Sequence, residues 1–255
     1  MRVLIVGNDS YNQIPLQGCH ADASAWGNLF NRFPSKPEVK ILLDAKRNDI
    51  MLGIGWLTSD ADTGVFVYSG HGTRLESDNE PDGFSEAICP IDMWEDGGKF
   101  ITDRMLSEAL VGKQDRTICI FDCCHIGDEW RAGDIDVGLT RRNILSGRFI
   151  DSAGMNFRAP DETRGVARQR KLWYHTNVAI LAACKSTQVA YEVKWPKASN
   201  RVRGAFSVSM LNSYSKDNNI ATWCGKSNVF LRSNFGNLQT PRAIGNPKVL
   251  KRVLV

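Results

Sequence analysis

Apolar positions in this chain come in short, unbroken runs, and the segments between them carry helical spacing. Arg2 to Val6 (RVLIV) is β-branched, apolar and followed by Gly7, which predicts a buried strand, and Ala21 to Phe33 then reads as a helix. The plan repeats with a strand at Val39 to Leu43, a helix at Asn48 to Leu57 and a third strand at Val65 to Tyr68 that runs into Ser-Gly-His-Gly. A segment rich in Gly, Pro and Asp follows from Thr73 to Gly98, then a helix from Asp103 to Val111 and strands at Thr117 to Phe121 and Val178 to Ala182. Apolar strands that alternate with helices predict an α/β fold, a mainly parallel central sheet flanked by helices on both faces.

Ligands and catalytic groups in such sheets gather beyond the carboxyl ends of the strands. YSGHG at 68 to 72 and DCCHIG at 122 to 127 each follow a predicted strand directly, so His71 and Cys124 can share one rim although about fifty residues separate them. Neighbouring Cys123 and Cys124 point apart if the backbone is extended, which makes a shared zinc ion awkward, and no second Cys-x-x-Cys or His-x-x-x-His supplies the remaining ligands. A thioredoxin-like redox pair needs two residues between its thiols, and this pair has none. Cys89, Cys119 and Cys184 read as core or core-edge residues, because free cysteine is among the most buried residue types. Cys-His nucleophilic catalysis fits the stretch better: a thiolate attacks a carbonyl while an imidazole handles the protons, and Gly70, Gly72 and Gly127 let a substrate backbone approach.

Composition narrows the setting. With 255 residues, 42% of them hydrophobic, the chain can bury one large core, and a single domain over residues 1–255 is expected. A formal charge of +4 is too mild to imply a nucleic-acid partner. Seven cysteines without scaffold spacing fit a reducing compartment, the opening MRVLIVGNDS is too short for a signal sequence, and no later run approaches a membrane span. The expectation is a cytoplasmic monomer with no membrane partner.

VFVYSGHGT followed by ICIFDCCHIG resembles the caspase-like cysteine peptidases, and more closely the metacaspases of the type I-like or prokaryotic kind, whose pattern is Tyr-Ser-Gly-His-Gly and then Asp-x-Cys-His-Ser-Gly. LQGCHADA at 16 to 23, DGFSEAICPID at 82 to 92, FITDRML, ILAACKSTQVAYE at 180 to 192 and GAFS at 204 to 207 are similar to further landmarks of that family in order and spacing. The resemblance covers roughly residues 1–215 and implies a caspase-like α/β/α sandwich; residues 216–255 lie beyond it as a C-terminal extension.

Carried over residue by residue, the resemblance makes His71 the catalytic histidine and Cys124 the nucleophile, with Cys123 on the variable position. It makes the Gly72 and Cys124 amides the oxyanion hole and places Asp22, Ser69 and Asp122 around the pocket for the residue before the scissile bond. Two carboxylates there favour Arg or Lys, because a buried guanidinium needs anionic partners. The substrates implied are proteins or peptides with a basic residue at that position. His125 reads as structural, since alternation turns it away from the nucleophile, and Tyr68 as packing.

Departures from the family pattern bear on metal binding. Asp103-Arg104 stands where many metacaspases pair two aspartates for calcium, Ser85 replaces the Asp before Glu86, and Ile126 replaces the Ser after Cys-His. An arginine in a ligand position opposes calcium, so no cofactor is required on this reading, and a weak calcium site near Asp92 and Asp103 is the one metal candidate, with Asp128 and Asp134 close in sequence. The stretch 128–174 carries Arg131, Arg141, Arg142, Arg148, Arg158, Arg164, Arg168 and Arg170. It reads as a solvated loop or as a covering, cleavable linker whose basic residues suit an acidic pocket. The rival functions are a catalytically silent interaction module, a caspase-like peptidase with another preference at the residue before the scissile bond, and a nucleic-acid binder resting on that loop alone.

Overall fold

The computed structural model describes residues 1–59, 62–77, 83–110, 117–124, 144–148, 178–185, 188–195 and 201–254. His125, Ile126, Gly127, Asp128, Asp134 and most of the stretch 128–174 therefore lie outside the described residues. The central sheet comprises β1 (Arg2–Gly7), β2 (Glu38–Leu43), β3 (Gly64–Ser69), β7 (Thr117–Asp122), β9 (Val178–Ala182) and β12 (Arg242–Gly245), in the order β12-β9-β7-β3-β1-β2. Its first five strands in sequence pair in parallel, and β12 closes one edge antiparallel to β9. The sheet is thus mainly parallel and flanked by helices, as the apolar runs predict.

Side-chain alternation divides the core into two halves. Val3, Ile5, Val65, Val67, Ile118, Ile120 and Cys124 face α1 (Cys19–Phe30), α4 (Ala205–Ser213) and α5 (Ile220–Phe235). Leu4, Val6, Phe66, Tyr68, Cys119, Phe121 and Cys123 face α2 (Arg47–Leu57) and α3 (Asp103–Leu110). Cys123 and Cys124 fall on opposite faces, which is what alternation along an extended chain requires. At the edge strand β2, Ile41 and Leu43 are exposed, so burial on both faces holds for the central strands and not for this one.

Helix α1 begins at Cys19, two residues before its sequence-based start, because a distant residue caps it. Asp9, in the loop after β1, accepts from Cys19 N at 2.8 Å and His20 N at 3.0 Å, satisfying donors that the local Gly18 leaves open. The helix stops at Phe30, before Pro34 would disfavour it.

The Gly, Pro and Asp-rich segment folds into a small antiparallel sheet of β4 (Gly72–Glu76), β5 (Phe84–Ile88) and β6 (Ile101–Thr102). A third sheet, β11-β10-β8, is built from β8 (Ile144–Gly147), β10 (Tyr191–Trp195) and β11 (Arg201–Gly204). Neither sheet is predicted by the apolar runs. The described residues beyond 215 pack onto the central core. Trp223 of α5 is buried, its ring 5.9 Å from Trp26 and 5.3 Å from Tyr214, and its indole N–H donates to Met210 O at 2.8 Å. After β12 the chain ends through α6 (Pro247–Leu250), where Val249 joins the same core half as Trp223. Among the described residues no helix is long and apolar enough to cross a membrane.

Candidate active site

Parallel pairing decides which chain segments meet at the rim. Gly7, Ser69 and Asp122 are register partners at the carboxyl ends of β1, β3 and β7. His71 and Cys124 each lie two residues beyond a register partner, so equal offsets bring them to the same edge. Asp22 reaches that edge from the first turn of α1. All six sequence-derived residues, Asp22, Ser69, His71, Gly72, Asp122 and Cys124, converge there and are buried.

His71 is held at both ends. Its main-chain N–H donates to Tyr11 Oη at 3.1 Å, and its carbonyl accepts from Tyr68 Oη at 2.8 Å and Cys89 N at 3.1 Å. Tyr68 therefore anchors the histidine through its hydroxyl as well as packing. The ring sits edge-on to Tyr11 at 4.6 Å, and Nε2 lies 2.8 Å from Ile14 O. A carbonyl can only accept, which assigns the proton to Nε2 and leaves Nδ1 as the free ring atom. Nδ1 is buried and has no hydrogen-bond partner among the described residues.

Burial, and after it repulsion from Arg148, lowers the His71 pKa to about 4, against the opposing pull of the Ile14 carbonyl. An unfolded histidine titrates near about 6.5. Between those values the unfolded chain binds the extra proton, so the stability that neutral His71 contributes is complete above pH ~6.5 and is lost as the pH falls toward about 4. The swing is about 3 kcal/mol. Chemical denaturation at neutral and mildly acidic pH measures it, and His71→Gln is expected to flatten the drop; an equal drop in both proteins would place the responsible proton elsewhere.

Cys124 sits against the backbone of Ala190. Ala190 N donates to its Sγ at 3.1 Å, and Ala190 O lies 3.8 Å from the same sulfur. Hydrogen bonding to Cys124, and then burial, push the Cys184 thiol well up, so Cys184 stays protonated beside the sulfur. Cys184 is thus a neighbour of the site and not only a core residue. The Cys124 carbonyl packs directly against Gly72, where any Cβ would collide with it, so only glycine admits this approach of the two segments.

The acidic pocket holds more than its predicted members. Asp22 Oδ2 accepts from Ser69 Oγ at 2.9 Å, from Gly204 N at 3.0 Å and from Arg148 Nη2 at 2.9 Å, while Asp22 Oδ1 takes Arg203 Nε at 2.6 Å. Asp122 Oδ2 accepts from Ser207 N at 2.8 Å, and its Oδ1 pairs with Arg148 Nη1 at 3.2 Å. Asp122 therefore orders neighbouring backbone and faces a cation at once. Glu192 adds a third carboxylate, 3.4 Å from Arg148 Nη2, and is positioned by Gly18 N at 2.8 Å. Arg148 Nη1 also donates to Ser69 Oγ at 2.7 Å and Asp122 O at 3.0 Å. Burial works against the Arg148 charge, but Asp122, Asp22 and Glu192 outweigh it and hold the guanidinium well above its ordinary range. A Cβ on Gly204 would stand 2.7 Å from Arg148 Nη1 and nearer still to Asp122, so this glycine keeps the pocket open.

Glu192, Arg203 and Ala190 carry no sequence signal of their own. Glu192 lies within the family-like YE at the end of ILAACKSTQVAYE, and that was the available hint. The two calcium candidates, Asp92 and Asp103, each hold neighbouring groups. Asp92 accepts from Arg47 N at 2.8 Å and faces Lys99 Nζ at 3.7 Å, and Asp103 accepts from Ser85 Oγ at 3.0 Å and Arg104 N at 2.8 Å. Among the described residues the group of three ligand-capable side chains is Asp9, Cys19 and Glu192, which includes neither.

A mainly parallel α/β sandwich with a cysteine and a histidine beyond neighbouring strands at its carboxyl rim fits the caspase-like class. The family model described as the caspase domain matches residues 1–231, and the chain belongs to that family. It is similar to metacaspase-1 of Arabidopsis thaliana, 29% identical over 46% of this chain and 36% of that protein, and to metacaspase-1 of Schizosaccharomyces pombe, 29% identical over 63% and 43%. It is also similar to inactive metacaspase-4 of Trypanosoma brucei brucei, 34% identical over 50% of this chain and 41% of the relative. The chain thus spans about two-fifths of the length of these curated relatives. A crystal structure of a protein from Geobacter sulfurreducens superposes with a TM-score of 0.71 at 18% identity, covering 100% of this chain and 99% of the other, which supports the fold alone.

Proposed function

We propose that this chain is a cysteine endopeptidase that cleaves after Arg or Lys. The carrying observation is the cluster of Asp22, Asp122 and Glu192 with Ser69, which binds a guanidinium close to Cys124. Three carboxylates opposed by Arg203 alone would leave a strongly anionic pocket, so a substrate must bring a cation to it.

In this reading Cys124 Sγ attacks the scissile carbonyl, supported by the Ala190 N–H that donates to the sulfur. The Gly72 and Cys124 amides receive the developing oxyanion. His71 Nδ1, with the ring oriented by Ile14, carries the thiol proton to the leaving amine. The thioacyl enzyme is then hydrolysed by water with His71 as base.

A silent interaction module is the second reading, favoured by the relative whose name marks it inactive. Presence of both His71 and Cys124 supports the peptidase. Short fluorogenic peptides ending in Arg, Lys, Gln or Asp discriminate the two. The expected kcat/KM for Arg and Lys exceeds that for Gln and Asp by at least about 100-fold, equivalent to about 3 kcal/mol. Turnover after Asp alone would overturn the acidic-pocket assignment, and turnover of none by a folded, unblocked enzyme would favour the silent module.

A further inference from the structure

The charge of this chain is unevenly placed. Residues 216–255 hold seven Lys and Arg against one Asp, a formal charge of +6, while the other 215 residues sum to −2. The mild overall value of +4 hides this division. Six of the seven cations, Lys216, Lys226, Arg232, Arg242, Lys248 and Lys251, are exposed, and none of the six forms an ion pair among the described residues.

Folding gathers these cations around α5. At the start of that helix Ile220 N donates to Arg252 O at 2.9 Å and Asn219 bridges to Val253, which sets Lys251 beside it. Lys226 Nζ donates to Asn218 Oδ1 at 2.9 Å, in the turn that carries Lys216. Ile220, Trp223, Cys224, Ser227 and Leu231 form the buried face of α5, so Val229 points the opposite way with Lys226 and Arg232 flanking it. Arg242 opens β12 opposite Ala182, and Ala182 is in register with Phe121, one residue before Asp122. Burial pushes the Cys224 thiol up to about 12 against an opposing pull from Arg242, so this cation also acts on α5. The basic face follows a helix about 24 Å long and has one cation, Arg242, at the carboxyl rim where Cys124 lies.

Like charges gathered on one helix and its neighbours repel one another, and an anionic partner relieves that repulsion. Two apolar side chains stand among them, Val229 at 66% exposure and Val253 at 46%. They offer contacts that the side chains of a peptide can use and that phosphate groups leave unused. We propose that this face is a docking surface for an acidic segment, about eight extended residues long, of the protein substrate. The inference rests on the peptidase reading and adds to the basic residue in the pocket a second requirement, a run of Asp and Glu elsewhere in the substrate. Pocket and docking face are opposite in sign, so a protein with separate basic and acidic stretches is oriented as it approaches.

Fluorogenic Arg peptides with a Glu-rich tail of that length, placed before or after the Arg, test this against the same peptides with Gln-rich tails. They are turned over by the wild type and by the triple variant Lys226→Glu, Lys248→Glu, Lys251→Glu. At low salt the acidic tail is expected to raise wild-type kcat/KM about tenfold on one side of the Arg, and the gain should fade near ~0.5 M salt. The triple variant should lose the gain yet cut the Gln-tailed peptides within about twofold of wild type, because its three positions are exposed and outside the site. Anisotropy of the labelled acidic tail on Cys124→Ala protein measures docking without turnover, and adding the three substitutions should weaken binding at least about tenfold. Equal kcat/KM for both tails, or a gain that survives in the triple variant, would overturn the docking surface and leave the peptidase reading standing. If no peptide is cut, the anisotropy decides alone: binding lost in the triple variant keeps the docking surface while the peptidase reading falls. Tighter binding of duplex DNA or of phosphatidylserine vesicles than of the acidic peptide would overturn the choice of a protein partner.

Discussion

Cys124→Ala is expected to lower kcat/KM for Arg-ending peptides by at least about 10⁴-fold, because removal of a nucleophile leaves only binding and oxyanion stabilisation to act on water. The effect should appear with little loss of fold. Cys124 is buried and, among the described residues, its sulfur bonds to Ala190 and Cys184, so truncation removes one small group and breaks no ion pair described there. Denaturant midpoints of the two proteins serve as the control. Cys124→Ser preserves the size and the Ala190 bond while substituting a poorer nucleophile, and it should be nearly as inactive. Residual activity above about 1% of wild type in either variant would mean that another group attacks the carbonyl.

Asp22→Asn carries the second largest effect, a fall of about 100-fold in kcat/KM for Arg peptides with a much smaller change for peptides ending in uncharged residues. Asp22 sits at the centre of the pocket: it binds Ser69, Gly204, Arg203 and the guanidinium occupying the site. An amide keeps the shape and an acceptor but takes away the charge, leaving Arg203 without its ion pair and any incoming cation with Asp122 and Glu192 alone. The same substitution removes an anchor from Arg148. Measuring it in the Arg148→Gln background separates loss of substrate binding from loosened self-occupation. A kcat/KM for Arg within threefold of the parent there would show that Asp22 serves the fold and not the substrate.

Much of the scaffold was legible because its signals are local. Short, β-branched apolar runs such as RVLIV, VFVY and TICIF read as strands buried on both faces, and a parallel sheet then carries Ser69, His71, Asp122 and Cys124 to one rim. Strand β10, Tyr191–Trp195, was illegible for the opposite reason. It alternates Glu192 and Lys194 with apolar residues, which resembles a solvent-facing edge, yet Glu192 is buried against the amides of Gln17 and Gly18. The start of α1 was misjudged because its cap comes from Asp9, outside the local window that signals a helix start. The packing of the C-terminal extension had no local signal, because Trp223 finds its partners, Trp26 and Met210, only after the chain has closed.

The pocket divides in the same way. Asp22, Ser69 and Asp122 stand beside recognisable motifs, so residue order alone was enough to nominate them. Glu192 as the third acid, and Arg148 among the eight arginines of residues 128–174 as the one that enters, depended on folding. A guanidinium is buried only where carboxylates from separate segments converge to offset its lost hydration, and α1, β7 and β10 supply them here. That convergence is a property of closed three-dimensional packing, and no local stretch of the chain encodes it.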